Sequence, residues 1–390
     1  MTSQNPTPPE SPERVFAKPQ PSSPLHFIDA QVDLDRVVAE LVQSNGFAVD
    51  AEMDSYYCYY TKLCLIQIST EHNDYLIDPL IGLDLTSLGR VFADPLIKKF
   101  AHAAENDIPY FRKATGCDFA GLFDTHLAAK TLEHPKSGLA GLLEEFQGIS
   151  IDKQYQTADW RIRPLPPEMA EYARNDTCHL IALAHQLMPL LEEQNVSQSA
   201  EFRFRQACQV VLQEKRFNAW GWQKISGATK LPPVAQSVLH SLYTWREHKA
   251  RELDLSLFRV LPDGIMSSIS ANAVKSGANP LLRYNHPHLR QYEKELLESI
   301  RYGLSNPSQV SAEQPKPKNS MTRQEEKQFK AVRDWRNAQQ LQILTNRAIT
   351  DLVTSKPAAW DAFVALQLLP EELYANQGKE LWALYRSLGN

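Results

Sequence analysis

Two hydrophobic periods divide this chain. Between residues 25 and 123, short apolar and β-branched runs recur at 25–28, 47–52, 63–68, 75–78, 99–101 and 121–123. Bounded by Asn, Gly, Asp and Pro, such runs predict strands. Between them Leu34, Val37, Val38, Leu41 and Val42 fall at helical spacing, and segments 85–92 and 107–115 read as helices too. The three strands between 47 and 78 follow one another closely, which implies antiparallel pairing. Strands with helices around them predict an α/β layered domain whose mixed sheet is flanked by helices. From Thr125 almost to Asn195 the period is helical.

Beyond residue 200 no strand pattern appears. Segment 202–217 reads as a linker helix. A helical module opens at 234–253 and continues through 262–274 and 289–302. Ser, Pro, Gln and Lys crowd 305–320, a linker composition, and a second helical module runs from Met321 to the end. The modules look like weak repeats. Each carries Trp-Arg on its first helix (Trp245-Arg246, Trp335-Arg336), followed by Val260-Leu261-Pro262 or Leu344-Thr345-Asn346 at the entry to the second. The expected organisation is a Pro/Ser-rich disordered leader at 1–24, the α/β domain at 25–200, a linker helix at 201–230, helical modules at 231–304 and 321–390, and a flexible linker at 305–320.

Length and composition narrow the function classes. A chain of 390 residues is expected to form two or three domains. Its 43% hydrophobic and 22% charged content is that of a globular protein. No run of about eighteen apolar residues offers a membrane span. The leader lacks the basic and apolar regions of a signal peptide. The five cysteines form no C-x-x-C pair. Reduced thiols in a cytoplasmic protein are therefore expected, and nothing in the pattern calls for more than a monomer. Charge is unevenly placed. Residues 1–200 hold 15 Lys+Arg against 28 Asp+Glu, and residues 201–390 hold 26 against 18. An acidic half followed by a basic helical half fits a metal-dependent catalytic domain with a nucleic-acid-binding appendage, or a helical surface that happens to be basic.

The chemistry lies in three acidic stretches. Asp50 and Glu52 are two apart on a predicted strand, so their side chains leave the same face. Two carboxylates amid Phe47, Val49 and the 63–68 strand would repel each other and lose solvation, a conflict that a cation resolves. Tyr172 and Asp176 are four apart on a helix entered through Pro164-Leu165-Pro166-Pro167, and share a face. Asp107 heads a helix, which is also a routine place for an acid. Glu105 lies two residues earlier as a rival. Taken singly, each stretch is ordinary; a surface Asp beside a core Tyr is common.

Their order and surroundings resemble the ribonuclease D family of DEDD exonucleases, in the tyrosine-containing subclass. Tyr59-Tyr60-Thr61-Lys62-Leu63-Cys64-Leu65-Ile66-Gln67-Ile68 looks like that family's second strand. Leu76-Ile77-Asp78-Pro79-Leu80 looks like the next strand and turn, and Asp124-Thr125 follows the second motif as in the family. Asp159-Trp160-Arg161-Ile162-Arg163-Pro164-Leu165 resembles its D-W-x-x-R-P-L signature, and the helical modules resemble the HRDC domain in two copies. The resemblance implies a ribonuclease H-like α/β exonuclease domain, then two all-α HRDC-like domains. It implies 3′→5′ two-metal hydrolysis of RNA 3′ ends such as tRNA precursors, releasing nucleoside 5′-monophosphates. Asp50, Glu52, Asp107 and Asp176 would hold two Mg²⁺ or Mn²⁺ ions, with Tyr172 positioning the water; the distance from His102 and Phe111 selects Asp107 over Glu105. Gln67, His102 and Arg163 are candidate substrate contacts, Arg163 foremost because a guanidinium fork suits a phosphate. For Gln67 and His102 a structural hydrogen-bonding role weighs at least as much. Trp245, Arg246, Lys249 and Arg251 are candidates for a single-strand-binding surface, although a Trp at such a place is more often core. Asp54 stands where the family has an apolar or basic residue. Two other readings stay open: a 3′→5′ exonuclease acting on DNA, single-stranded DNA included, and a non-catalytic HRDC-type nucleic-acid-binding protein.

Overall fold

The structure, a computed structural model, describes residues 23–151, 154–212, 216–274, 279–307, 321–339, 341 and 343–389. All but the ends of the leader at 1–24 and the linker at 305–320 lie outside the described residues. The predicted strands form one six-stranded sheet: β1 (Leu25–Ile28), β2 (Gly46–Asp54), β3 (Lys62–Ser69), β4 (Asp74–Ile77), β5 (Lys98–Ala101) and β6 (Leu122–Asp124), in the order β1-β4-β3-β2-β5-β6. It is mixed, as expected. A tight turn closed by the Thr70 N–H on the Asn73 carbonyl (2.8 Å) makes β3 and β4 antiparallel, with Ile66 opposite Ile77. β1 runs parallel to β4, and β5 runs parallel to both β2 and β6, a pairing that requires crossover connections. Phe47, Ala48 and Val49 on β2 and the run Cys64 to Ile68 on β3 are buried. These central strands are covered on both faces, which is why they read as continuous apolar runs.

The helices around the sheet are α1 (Gln31–Gln43), α2 (Thr86–Ala93), α3 (Ile108–Thr115), α4 (Thr125–Thr131), α5 (Leu139–Gln147), α6 (Pro167–Asn175), α7 (Leu180–Glu193) and α8 (Ser197–Cys208). The last corrects the expected linker helix at 201–230. Ala200, Phe204, Ala207 and Cys208 make a buried stripe at helical spacing. Phe204 packs on Phe123 of β6 with ring centroids 5.0 Å apart, and Arg112 of α3 donates to the Cys208 and Val210 carbonyls. α8 therefore belongs to the sheet domain. The stretch after it makes short 3₁₀ turns at Gly221–Lys224 and Ala228–Lys230, and Trp222, Ile225 and Ala228 enter the core of the first helical module beside Val238 and Leu242.

That module comprises α9 (Pro233–Leu253), α10 (Leu257–Val260), α11 (Asp263–Ala273), α12 (Pro287–Gln291) and α13 (Glu293–Ser305). The second comprises α14 (Arg323–Ala338), α15 (Asn346–Ser355), α16 (Trp360–Val364) and α17 (Lys379–Ser387). One anchoring device recurs in both. Arg246 on α9 donates to the Leu261 carbonyl (2.9 Å) and to Asp263 at the start of α11 (2.6 Å). Arg336 on α14 donates to the Leu344 carbonyl (3.2 Å) and to Asn346 at the start of α15 (2.8 Å). The chain divides into two units. The first runs to Ala51 and adds Leu65–Gln156 and Pro164–Val210. The second joins Glu52–Cys64 and Thr157–Arg163 to everything from Val211 onward. Among the described residues no helix is long and apolar enough to cross a membrane.

Candidate active site

Asp50 sits in the middle of β2, half-buried, and Glu52 lies two residues further along the same strand. Asp107 occupies the cap position before α3, yet its carboxyl makes no capping hydrogen bond to that helix. The routine reason for an acid at a helix start is thereby removed. Its carboxyl instead meets that of Asp50, which favours its ionised form. Burial first, then the charges of Asp124 and Asp176, hold the Asp107 carboxyl far above the ordinary range. Asp176, directly after α6, is pushed up by burial as well. Glu105 is exposed, which supports the choice of Asp107. Tyr172 lies one turn before Asp176 on α6, its ring edge-on to Tyr155 at 5.7 Å. Asp50, Asp107 and Asp176, from three separate elements, thus share one partly buried region.

The frame holding them is built from buried polar pairs. Asp124, at the end of β6, accepts from the N–H groups of Ala103 (3.1 Å), Ala104 (2.8 Å) and Leu127 (3.0 Å). It thereby fixes the turn that delivers Asp107, in which Ala103 takes the left-handed conformation (φ 58°). Sequence reasoning noted Asp124 but gave it no role. On the other side Ser69 of β3 meets Thr177 (2.8 Å), and Asp74 of β4 pairs with Arg174 of α6 (2.7 Å). Both bonds are buried and set the height of α6, and with it Tyr172 and Asp176.

Comparison with known proteins fits this arrangement. A family model described as 3′-5′ exonuclease matches residues 25–192, and one described as HRDC domain matches residues 235–300. The chain is 32% identical over 311 residues to the exosome complex exonuclease RRP6 of Saccharomyces cerevisiae, covering 75% of this chain and 42% of that protein. It is 33% identical to the human exosome complex component 10, covering 67% of this chain and 31% of that protein. The chain thus spans less than half the length of these curated relatives. The catalytic core of RRP6 from Trypanosoma brucei superposes with a TM-score of 0.68 at 29% identity, covering 73% of this chain and 81% of that one. This chain belongs to the DEDD-type 3′-5′ exonucleases that carry a C-terminal HRDC domain. Escherichia coli RNase D shares the fold, with a TM-score of 0.60 at 24% identity over 93% of this chain and 98% of that chain.

In this chain the donor set fits hard divalent cations, since every candidate ligand is a carboxylate oxygen. Among the described residues no three His, Cys, Asp or Glu side chains converge closely enough to hold an ion as they stand. The fit rests on the electrostatics. The like charges crowded under burial around Asp107 lose their repulsion once a cation lies among them.

The expected substrate contacts fall differently. Gln67 is buried on β3, and neither its amide oxygen nor its amide nitrogen has a hydrogen-bond partner. His102 shares a hydrogen bond with the Thr125 hydroxyl (2.9 Å), and burial and His126 push it down to about 3, so it presents a neutral ring. Arg163 donates to the carbonyls of Trp160, Ile162 and Cys64. These bonds anchor the D-W-x-x-R-P-L loop to the start of β3, and a phosphate would have to share them.

The single-strand surface expected at Trp245, Arg246, Lys249 and Arg251 is corrected. Trp245 donates to Glu295, and Arg246 is buried on Asp263. Lys249 pairs with Glu252 and Glu295, and Arg251 binds Tyr59 and Glu247. Acids distant in sequence engage the first three, and Arg251 meets the distant Tyr59 hydroxyl beside the nearby Glu247.

Proposed function

We propose that this protein is a 3′→5′ exoribonuclease that shortens RNA 3′ ends, tRNA precursors among them, by divalent-cation-dependent hydrolysis, releasing nucleoside 5′-monophosphates. One observation carries the reading: the like charges of Asp107 and Asp176 oppose each other under burial, and Asp50, from a third element, meets Asp107. Asp50, Glu52, Asp107 and Asp176 would hold the cations, Mg²⁺ or Mn²⁺. When bound, such ions supply an acidified water and counter-charge for the departing 3′-oxygen. The chain's own contribution is placement. The Ser69–Thr177 and Asp74–Arg174 bonds hold α6 so that the Tyr172 phenol can orient the water in line with the P–O3′ bond. The water oxygen joins phosphorus as the P–O3′ bond breaks, and the 3′-oxygen leaves as a hydroxyl. Relatives named for RRP6 and a fold neighbour titled RNase D support RNA over DNA. We propose also that the second helical module is an HRDC-like copy, because Arg336 repeats the anchorage of Arg246.

The test is a pure full-length preparation incubated with 5′-labelled RNA and matched DNA, with Mg²⁺, Mn²⁺ or chelator, beside Asp176→Asn. A stepwise ladder on RNA that needs the cation and disappears in the variant is expected. A ladder on DNA alone overturns the RNA assignment, and no ladder on either overturns catalysis.

A further inference from the structure

The segment joining β2 to β3 contains four tyrosines, where a connecting turn needs only small or polar residues. Its first residue, Asp54, ends the strand that carries Glu52 and is buried. Its Oδ1 accepts from the N–H groups of Tyr56 (3.1 Å) and Tyr57 (2.7 Å). Its Oδ2 lies 2.8 Å from Nε of Arg161, which also grips Asp159 through two nitrogens at 2.8 Å each. Arg161 belongs to the loop whose next residues open α6. Tyr57 links this group to the first helical module. The guanidinium of Arg161 stands 5.4 Å from the centre of its ring and that of Arg259, on α10, stands 4.9 Å from it. The Tyr57 carbonyl accepts from the Ser256 N–H (3.2 Å), and Tyr56 packs on Phe258 at 4.9 Å.

A second attachment follows immediately. Tyr59 is buried, donates its hydroxyl proton to Glu247 on α9 and accepts from Nε of Arg251 (2.8 Å). Lys62, at the start of β3, pairs with Asp254 at 2.5 Å, and Asp254 also accepts from the Tyr60 N–H (3.0 Å). A module that only tethered nucleic acid would have no need of buried charge and of its own guanidinium groups over this segment, Arg259 on Tyr57 and Arg251 on Tyr59 at 5.4 Å. Charge-assisted bonds in a poorly solvated setting fix geometry more strictly than apolar packing does.

We propose that the first helical module is a positioning device for the exonuclease. Through Tyr57, Tyr59 and Asp54 it fixes the end of β2 that carries Glu52, and through Arg161 it fixes the loop at 157–163. The proposal rests on the exonuclease reading above. Asp54, Tyr57, Tyr59, Arg161 and Arg259 are positioning residues, since they act through Glu52.

The test uses full-length Tyr57→Ala, Tyr57→Phe and Arg259→Ala. The readouts are kcat and KM on labelled RNA, the Mn²⁺ concentration giving half-maximal activity, and the Mn²⁺-induced rise in melting temperature without RNA. A misplaced ligand lowers kcat by about tenfold in Tyr57→Ala and about threefold in Arg259→Ala, with KM held within about twofold. The half-saturating Mn²⁺ rises and the melting shift shrinks in the same order, while Tyr57→Phe keeps wild-type values. Arg259 is exposed, so its variant keeps the test sound if Tyr57→Ala melts under assay conditions. Folded variants with wild-type kcat and wild-type Mn²⁺ response overturn the coupling, as does a loss carried wholly by KM. A wild-type protein inactive on every nucleic acid overturns the exonuclease reading instead, and the Mn²⁺ melting shift then judges the coupling alone.

Discussion

Asp124→Asn removes one acceptor from the turn that delivers Asp107. In the wild type Oδ1 accepts from Ala103 and Leu127, and Oδ2 accepts from Ala104 at 2.8 Å. An asparagine keeps one oxygen. In its better orientation the amide nitrogen faces the Ala104 N–H, donor against donor, in a site with no solvent access. An orphaned buried donor costs roughly 1–3 kcal/mol. Two effects oppose this loss: the buried acid disappears, and with it the charge beside Asp107. These opposing terms offset part of the loss only, although burial outweighs the three backbone donors and holds this carboxyl above its usual range. A net loss of about 2 kcal/mol lowers the melting temperature of a domain this size by roughly 4–8 °C. Ala103, held at φ 58° by the same carboxyl, then relaxes and Asp107 moves, so kcat falls by about tenfold or more while KM hardly changes. Urea unfolding in chelator and steady-state hydrolysis of labelled RNA measure the two effects. An unchanged melting temperature together with unchanged kcat would refute the role given to Asp124.

Three further outcomes are expected. Asp107 and Asp176 retain protons in the folded state that the unfolded chain releases above about pH 3.9. Stability in chelator therefore falls as pH rises from that range towards neutrality and beyond, and Mn²⁺ raises the melting temperature more at pH 8 than at pH 6; equal shifts would count against a shared cation site. Lys99 is buried, donates to the Val91 and Asp94 carbonyls, and burial pushes it down to about 8. Its folded value lies below its unfolded one of about 10.4, so stability is recovered as pH rises from 8 to 10, by about 3 kcal/mol in full. Lys99→Met flattens that rise in urea titrations, and parallel curves would contradict it. Gln67→Met removes two unpartnered amide atoms from the sheet interior. Melting temperature rises by a few degrees, on the order of 1 kcal/mol, while exonuclease activity drops if the amide serves the substrate; a lower melting temperature would show that it is satisfied in solution.

The sequence was most legible where geometry follows directly from spacing. Two residues along a strand placed Asp50 and Glu52 on one face, and one helical turn placed Tyr172 beside Asp176. Asp107 could be told from Glu105 by motif distance; Glu105 is exposed, and the Asp107 carboxyl makes no cap bond to α3. Illegible residues were those whose partners lie far away in sequence. Arg246, Lys249 and Arg251 look like a nucleic-acid face when read along α9. Asp263, Glu295 and the Tyr59–Glu247 pair, between 17 and 192 residues distant except for Glu247, take up their charges. Asp124 looks like a simple helix cap, and it is one for α4; only the folded turn shows its other two bonds. α8 was misplaced because its buried stripe faces β6 rather than the module after it. The consequence reaches function. A count of Lys and Arg overstates nucleic-acid affinity by every cation the fold itself engages. The salt dependence of RNA binding should therefore follow exposed residues such as Lys294, Arg301, Lys327 and Lys330, and neutralising Lys249 should loosen the helical module instead.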